Sequence, residues 1–202
     1  MDQKYLDKLL FNALNSNDIE GIKDALEKGA NGNVETKKGA TPLMILSKLN
    51  HNSIPLIELA DCLIEAGADV NYINKKGFTV LSNMMKSAFV EINLFSHLIK
   101  KHNADINQTV KIKQDGELKE FSLLEFAYMN SLDKSIIEFL ESLGAKKLFD
   151  SDELKESFES RYEIMDKGFR DSGIYDIIEE KTSGRKKNIF QKAKNFILKL
   201  FK

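Results

Sequence analysis

The chain has 202 residues, which is enough for one domain with a buried core. Its 42% apolar and 30% charged residues are typical of soluble globular proteins, and a net charge of −1 gives no bulk reason to expect nucleic-acid binding. A single cysteine excludes an internal disulfide scaffold, and the absence of a signal-peptide core or membrane-length apolar run predicts a cytoplasmic protein.

The first predicted element is an amphipathic helix through residues 6–14, LDKLLFNAL. Helical spacing places Leu9, Leu10, Ala13 and Leu14 on its inward face. No turn motif of the kind found later in the chain precedes this helix. It is therefore expected to be the N-terminal end of a repeat array.

Four amphipathic segments each end in a turn-forming residue followed by alanine. The turn residues are Gly29, Gly67, Asn103 and Gly144, at spacings of 38, 36 and 41 residues. Helices commonly end in a left-handed residue, a conformation that glycine adopts freely and asparagine tolerates better than most residues. The spacing therefore predicts four repeats.

The second, third and fourth repeats open on similar segments, namely KKGATPLMIL (37–46), KKGFTVLSNM (75–84) and EFSLLEFAYM (120–129). Thr41 is a good helix N-cap, and Pro42 would then occupy the first helical position, where a missing N–H has no cost. Thr79 and Ser122 are the matching caps. Each repeat is thus predicted to start its first helix at a hydroxyl residue.

Residues 108–121, QTVKIKQDGELKEF, predict a β-hairpin ahead of the fourth repeat. Val110 and Ile112 alternate with lysines, and Asp115-Gly116 is a strong two-residue turn signal. The hairpin is either a tolerated loop insertion or a protruding contact element. The candidate partner-binding residues on it and on the preceding turn are Tyr72, Lys75, Lys76, Phe78, Lys111, Lys113 and Asp115.

After residue 148 the repeats stop and the charge becomes uneven. Residues 149–181 hold 11 acidic and 5 basic residues and predict a helical cap over the last repeat, beginning at Asp150 or Ser151. The inward residues of this helix are predicted to be Leu154, Phe158, Tyr162, Met165 and Phe169.

Residues 182–202 form the last segment, and positions 185–202 carry 7 basic residues and no acidic ones. The pattern predicts a basic amphipathic helix. Such a helix can lie on an anionic membrane, dock on a partner, or pack on its own chain. The candidate membrane or partner contacts are Phe190, Lys194, Phe196, Ile197 and Phe201.

The two half-motifs together resemble the ankyrin-repeat family, most clearly at Gly39, Thr41, Pro42 and Leu43 and then at Gly67, Ala68, Asp69 and Asn71. The resemblance implies an all-α solenoid of about four helix pairs with β-hairpin fingers in residues 1–148. The repeats would span roughly 5–33, 34–71, 72–107 and 108–148. The histidine that the family places after Thr-Pro-Leu is replaced by Met44, by Ser82 or Asn83, and by Glu125.

No arrangement of residues predicts catalysis, a cofactor or a metal site. His97 and His102 are five residues apart and are expected on different helix faces, while His51 falls in a loop. Cys62 is expected to be a buried small hydrophobe and not a nucleophile. No metalloprotease, paired-cysteine or phosphate-loop motif is present in the sequence.

The family's usual activity is protein recognition through finger tips and the first-helix face, so the resemblance implies a non-enzymatic, monomeric protein-binding module. A bacterial immunity protein that blocks a toxin and an effector that binds a host protein are both compatible with it. The alternative is a peripheral membrane adaptor anchored by residues 185–202.

Overall fold

A computed structural model describes residues 2–49, 55–87, 90–114, 116–130, 134–148 and 152–171 of the chain. The chain divides into two compact units, Met1–Phe149 and Asp150–Lys202. No helix in these described ranges combines the length and the apolar character that a membrane crossing needs.

The helices of the first unit follow one another in pairs. The pairs are α1 (Gln3–Ser16) with α2 (Ile19–Glu27), α3 (Pro42–Leu46) with α4 (Leu56–Glu65), α5 (Val80–Met84) with α6 (Ile92–Lys100), and α7 (Leu123–Asn130) with α8 (Lys134–Ser142). Two strands, β1 (Thr109–Gln114) and β2 (Glu117–Ser122), precede α7. First helices stack on first helices, α1 on α3, α3 on α5 and α5 on α7, while α2 contacts α4 and α4 contacts α6. The result is a two-layered, mostly helical repeat array.

The predicted helix starts are confirmed. Thr41 Oγ1 accepts a hydrogen bond from the Met44 N–H at 3.4 Å, and Pro42 is the first residue of α3. Thr79 and Ser82 cap each other reciprocally at the start of α5. Each cap satisfies a backbone donor that has no partner inside its own helix.

The predicted helix ends are also confirmed. Gly29, Gly67, Asn103 and Gly144 have φ angles of +92°, +95°, +55° and +72°. All four lie in the left-handed region, so the single asparagine performs the same conformational task as the three glycines.

The core of α1 differs in part from the prediction. Leu10, Ala13 and Leu14 are buried as expected, but Leu9 is only half-buried and Leu6 is buried instead. The buried stripe runs at intervals of four, three and one residues, and Leu9 lies at its edge. Periodicity identifies the stripe but not how far it extends around the helix.

A ladder of asparagines ties each repeat to the next. Asn33 accepts from the Asp69 N–H at 2.8 Å and donates to the Gly67 carbonyl at 3.0 Å. Asn71 makes the equivalent bonds to the Asp105 N–H and the Asn103 carbonyl. These bonds join residues 32 to 36 positions apart, so they hold neighbouring repeats in register.

The predicted hairpin is confirmed as an antiparallel pair. Val110 lies opposite Phe121, and both are buried, whereas Leu118 opposite Lys113 is 70% exposed. The first four residues of β2 are exposed and the last two are buried. The base of the hairpin therefore belongs to the core, and its tip projects into solvent.

In the second unit, α9 spans Asp152–Asp171 with two acidic residues in its first turn. Acidic side chains at the start of a helix interact favourably with the positive end of the helix dipole. Leu154 is half-buried and Phe158 is buried. The side chains of Tyr162, Met165 and Phe169, and the predicted cap at residues 150 and 151, lie outside the described part, so capping of the last repeat remains a prediction.

Candidate functional site

Two finger turns precede α3 and α5, and they close in the same way. In the first finger, residues 35–40, the Thr36 N–H donates to the Ala40 carbonyl at 3.0 Å. In the second finger, residues 73–78, the Asn74 N–H donates to the Phe78 carbonyl at 2.9 Å. The β1–β2 hairpin is the third finger. The three fingers project from the ends of consecutive first helices.

The first two fingers are joined by Glu35. Its carboxylate accepts from the Tyr72 hydroxyl at 3.2 Å and from the Lys75 N–H at 3.0 Å. The Lys75 ammonium lies 3.7 Å from Glu35 Oε2 and donates to the Thr36 carbonyl at 3.1 Å. Tyr72 and Lys75, two of the predicted partner contacts, thus already hold one finger to the next.

Phe78 links the second finger to the neighbouring first helices. Its ring lies 5.9 Å from the Phe126 ring of α7, measured between centroids. The Lys86 ammonium lies 2.8 Å from the centroid of the Phe78 ring. Phe78 is half-buried by these contacts, so one part of it packs on the fold and the rest is available at the surface.

The fingers and first helices of the second and third repeats carry a strong local charge. Residues 34–49 and 72–87 together contain six lysines against one acidic residue, Glu35. All six lysines are exposed, and they define the basic face: Lys37, Lys38, Lys48, Lys75, Lys76 and Lys86. The following stretch, residues 56–69 through α4, has four acidic residues and no basic one. The near-zero net charge of the chain conceals this separation.

The ammonium of Lys86 is affected by its neighbours Lys48 and Lys76 in the basic face. Loss of hydration around its ammonium, together with repulsion from Lys48 and Lys76, lowers the pKa of Lys86 from 10.5 to about 8. The Phe78 ring favours the cation but does not offset these effects. The ammonium groups are therefore crowded in a way that an incoming carboxylate would relieve.

The pKa of Lys86 predicts a pH-dependent stability. Between about pH 8 and 10.5 this amine is neutral in the folded chain and charged in the unfolded chain, so the free energy of unfolding rises with pH across that window. Below about pH 8 both states carry the proton, and the folded state bears the full cost of the crowded charge.

Denaturant unfolding of wild type and Lys86→Met, at about pH 7.5 and about pH 9.5, checks this prediction. The stability of wild type relative to the variant should increase at the higher pH. A difference between the two proteins that does not change with pH would contradict the lowered pKa.

Of the other predicted partner contacts, Lys76, Lys111 and Lys113 are exposed on the second and third fingers. A Cβ atom built on Gly77 would lie 3.4 Å from the Lys111 carbonyl oxygen, so these two fingers are adjacent. The predicted contacts that lie outside the described residues are Asp115, Phe190, Lys194, Phe196, Ile197 and Phe201.

The prediction that His97 and His102 lie on different faces is wrong. Helix α6 ends at Lys100, and the turn that follows brings His102 back beside His97, with ring centroids 5.3 Å apart. Both Nε2 atoms contact Asp61 Oδ1, at 2.7 Å and 2.6 Å. Lys101 Nζ lies 2.7 Å from Asp61 Oδ2.

This cluster determines the ionisation of Asp61. Burial on its own would raise the pKa of this carboxyl, but hydrogen bonds from His97, Lys101 and His102 outweigh that effect and hold the pKa well below its usual range. Asp61 comes from α4, about 40 residues earlier in the chain, so no local motif could have revealed the cluster. The prediction that the adjacent Cys62 is buried is also wrong, since its side chain is half-buried.

Comparison with known proteins identifies the repeat. The ankyrin repeat family matches residues 38–75, which include α3 and α4. A Rickettsia felis protein named as an ankyrin repeat protein is 35% identical over 75 residues, 37% of this chain and 33% of that protein. A fowlpox virus protein with the same designation is 33% identical over 93 residues, 46% of this chain and 12% of the viral protein. The chain thus matches only a minor part of either relative.

Proposed function

We propose that the chain is an ankyrin-repeat protein that binds a protein partner without catalysing a reaction, because residues 38–75 match the ankyrin repeat family and two ankyrin repeat proteins are similar to part of the chain. Ankyrin repeats generally mediate protein–protein interaction. Stacked repeats present an elongated surface made of equivalent positions in successive units, which suits the recognition of an extended partner surface. Residues 1–148 would perform this binding.

The partner is proposed to present an acidic surface to the basic face. The observation that carries this proposal is the concentration of six exposed lysines against one glutamate in residues 34–49 and 72–87. Complementary charge accelerates association and selects against wrong partners. A carboxylate placed near Lys48, Lys76 and Lys86 would also relieve their mutual repulsion.

The third finger is proposed to add contacts beside the basic face. Its tip exposes Leu118 together with Lys111 and Lys113. A partner that covered Leu118 would bury its apolar surface, and its carboxylates could pair with Lys111 and Lys113. Since Val110 and Phe121 are buried at the base, a test of the tip must leave those two residues in place.

A charge-reversal variant tests the proposal. The variant carries three substitutions, Lys37→Glu, Lys38→Glu and Lys76→Glu. Each replaces an exposed lysine at a finger tip, and none of these lysines forms an ion pair within the described part of the chain. Affinity capture from native cells with wild-type protein identifies a partner, whose binding is then titrated against the purified variant. Reversal is expected to weaken binding by about 100-fold at low salt, and by less at high salt, where screening already reduces attraction.

The matched control reverses three exposed lysines elsewhere, Lys4, Lys8 and Lys146, so its net charge equals that of the fingertip variant. It should bind the partner as wild type does. Equal losses in the two variants would show that only bulk charge matters and would reject the basic face. A third variant, in which an Asn-Gly turn replaces residues 112–119, measures the contribution of the hairpin tip.

Two versions of a protein-binding role are proposed for this chain, a bacterial immunity protein and a host-directed effector, both acting from the cytoplasm of the cell in which they bind. Their partners differ in origin. An immunity protein would suppress the toxicity of a co-expressed bacterial protein, and an effector would capture a host protein. Co-expression with candidate toxins separates the two versions.

A peripheral membrane adaptor is the second candidate function. The excess of 7 basic residues in positions 185–202, interleaved with phenylalanine and isoleucine, supports it. Co-sedimentation of the full chain and of a 1–184 truncation with anionic vesicles tests this role. Binding by the full chain alone is the expected result, and equal binding by both proteins would remove the tail as an anchor.

A further inference from the structure

We propose that Asp61, His97 and His102 form a binding site for one divalent transition-metal ion, with zinc as the expected occupant. The site joins α4 of the second repeat to the end of α6 of the third repeat. It uses none of the lysines of the basic face, so it goes beyond the proposed binding function and can be tested separately.

The three side chains already converge. One oxygen of Asp61 lies 2.7 Å from His97 Nε2 and 2.6 Å from His102 Nε2. One ligand atom from each residue lies within 4.8 Å of the other two. Ligand atoms around a tetrahedral zinc ion are about 3.4 Å apart, given metal–ligand distances of about 2.1 Å. The distance from the Asp61 oxygen to each histidine Nε2 would therefore lengthen by less than about 1 Å to admit the ion.

The donor set suits a first-row transition metal. Imidazole nitrogens bind zinc, copper and nickel well, whereas magnesium and calcium prefer oxygen ligands throughout. Two imidazoles and one carboxylate match the three-ligand zinc sites that leave a fourth position to water. Lys101 contacts Oδ2 of Asp61, so it can stay bound to that oxygen while Oδ1 turns to the metal.

Access and rigidity also favour the site. The side chains of Asp61, His97 and His102 are 20%, 19% and 13% exposed. They are sheltered enough to be held in place, yet an ion can reach them from solvent, which a metal site requires. A metal bound here would connect two successive second helices, so it is expected to stabilise the stacking of repeats two and three.

Metal titration of the full chain tests the proposal. Tag-free, metal-stripped protein is titrated with zinc chloride by isothermal calorimetry, and its thermal midpoint is measured with zinc or with magnesium. One zinc ion per chain and a higher midpoint with zinc alone are expected. Cobalt(II) should give a visible absorption band typical of low coordination number.

Four single variants assign the ligands. His97→Gln and His102→Gln should each weaken zinc binding by about 100-fold or more, because even the loss of an outer-shell partner costs 10–100-fold. His51→Gln removes the third histidine and Cys62→Ser removes the neighbouring thiol. Both of these controls should bind zinc as wild type does.

Several results would overturn the proposal. They are an absence of zinc binding by the wild-type chain, undiminished binding by either ligand variant, and loss of binding in either control. The wild-type titration decides the question even if a ligand variant fails to fold. Circular dichroism of each variant, compared with the wild-type spectrum, shows whether its loss reflects the missing ligand.

Discussion

Replacement of Glu125 by alanine is expected to lower the free energy of unfolding by about 3 kcal/mol, and replacement by glutamine by about 1.5 kcal/mol. Glu125 is fully buried at the start of α7. Its Oε2 accepts from the Ser122 N–H at 2.8 Å and its Oε1 accepts from the Leu148 N–H at 3.0 Å. Alanine leaves both donors without this acceptor and also leaves a cavity.

The glutamine variant distinguishes the two oxygens. Its amide has one acceptor oxygen and one donor nitrogen, so it can satisfy Ser122 or Leu148 but not both. Ser122 is buried, whereas Leu148 is 49% exposed. We expect glutamine to keep the Ser122 bond and release Leu148 to water, which gives the smaller loss.

Denaturant unfolding monitored by circular dichroism measures these losses. Glu117→Gln, an exposed carboxylate at the tip of β2, is the control and should change stability by less than about 0.5 kcal/mol. If Glu125→Gln were as stable as wild type, the second backbone bond would contribute nothing. The same Ser122–Glu125 pair forms a capping box at the start of α7.

Gly32→Ala is expected to destabilise the fold by about 2–3 kcal/mol. A Cβ atom at this position would lie 2.7 Å from the backbone nitrogen of Ala68 and 2.9 Å from its Cα atom. These are backbone atoms of the next repeat and cannot move aside as a flexible side chain would. The added methyl group must therefore separate the first repeat from the second, where Asn33 bonds to Gly67 and Asp69.

Gly67→Ala provides the contrast for this prediction. A Cβ atom on Gly67 meets no atom within 4 Å, but the residue has a φ angle of +95°. Its replacement should cost about 1 kcal/mol, through backbone conformation alone. Chemical denaturation compares the two variants. A loss in Gly32→Ala no larger than that in Gly67→Ala would contradict the steric argument.

The repeat register could be read from the sequence because its signals are local. Two kinds of signal act within one helical turn. One is the left-handed residue at a helix end, such as Gly29 or Asn103, and the other is the hydroxyl cap at a helix start, such as Thr41 or Thr79. Their physical effect does not depend on where the rest of the chain lies. The Asp-Gly hairpin turn ahead of α7 belongs to the same class of signal.

Local signals of this kind could not show which surface side chains are already bonded within the fold. Tyr72 and Lys75 have the exposed, polar character of partner contacts, yet they bond to Glu35, 37 and 40 residues earlier. Likewise, the burial of Leu6 in place of Leu9 depends on how α1 packs against α2 and α3. These outcomes depend on the stacking of one repeat on the next.

The sequence alone thus determined that this protein is an array of helix-pair repeats with a hairpin inserted before the fourth, since caps and turns act between neighbouring residues. Only the tertiary structure decided which distant side chains meet. Asp61 is joined to His97 and His102 because α4 stacks on α6, and lysines of two separate segments form one basic face because α3 stacks on α5. Stacking brings together residues more than 30 positions apart, a distance at which sequence spacing carries no geometric information.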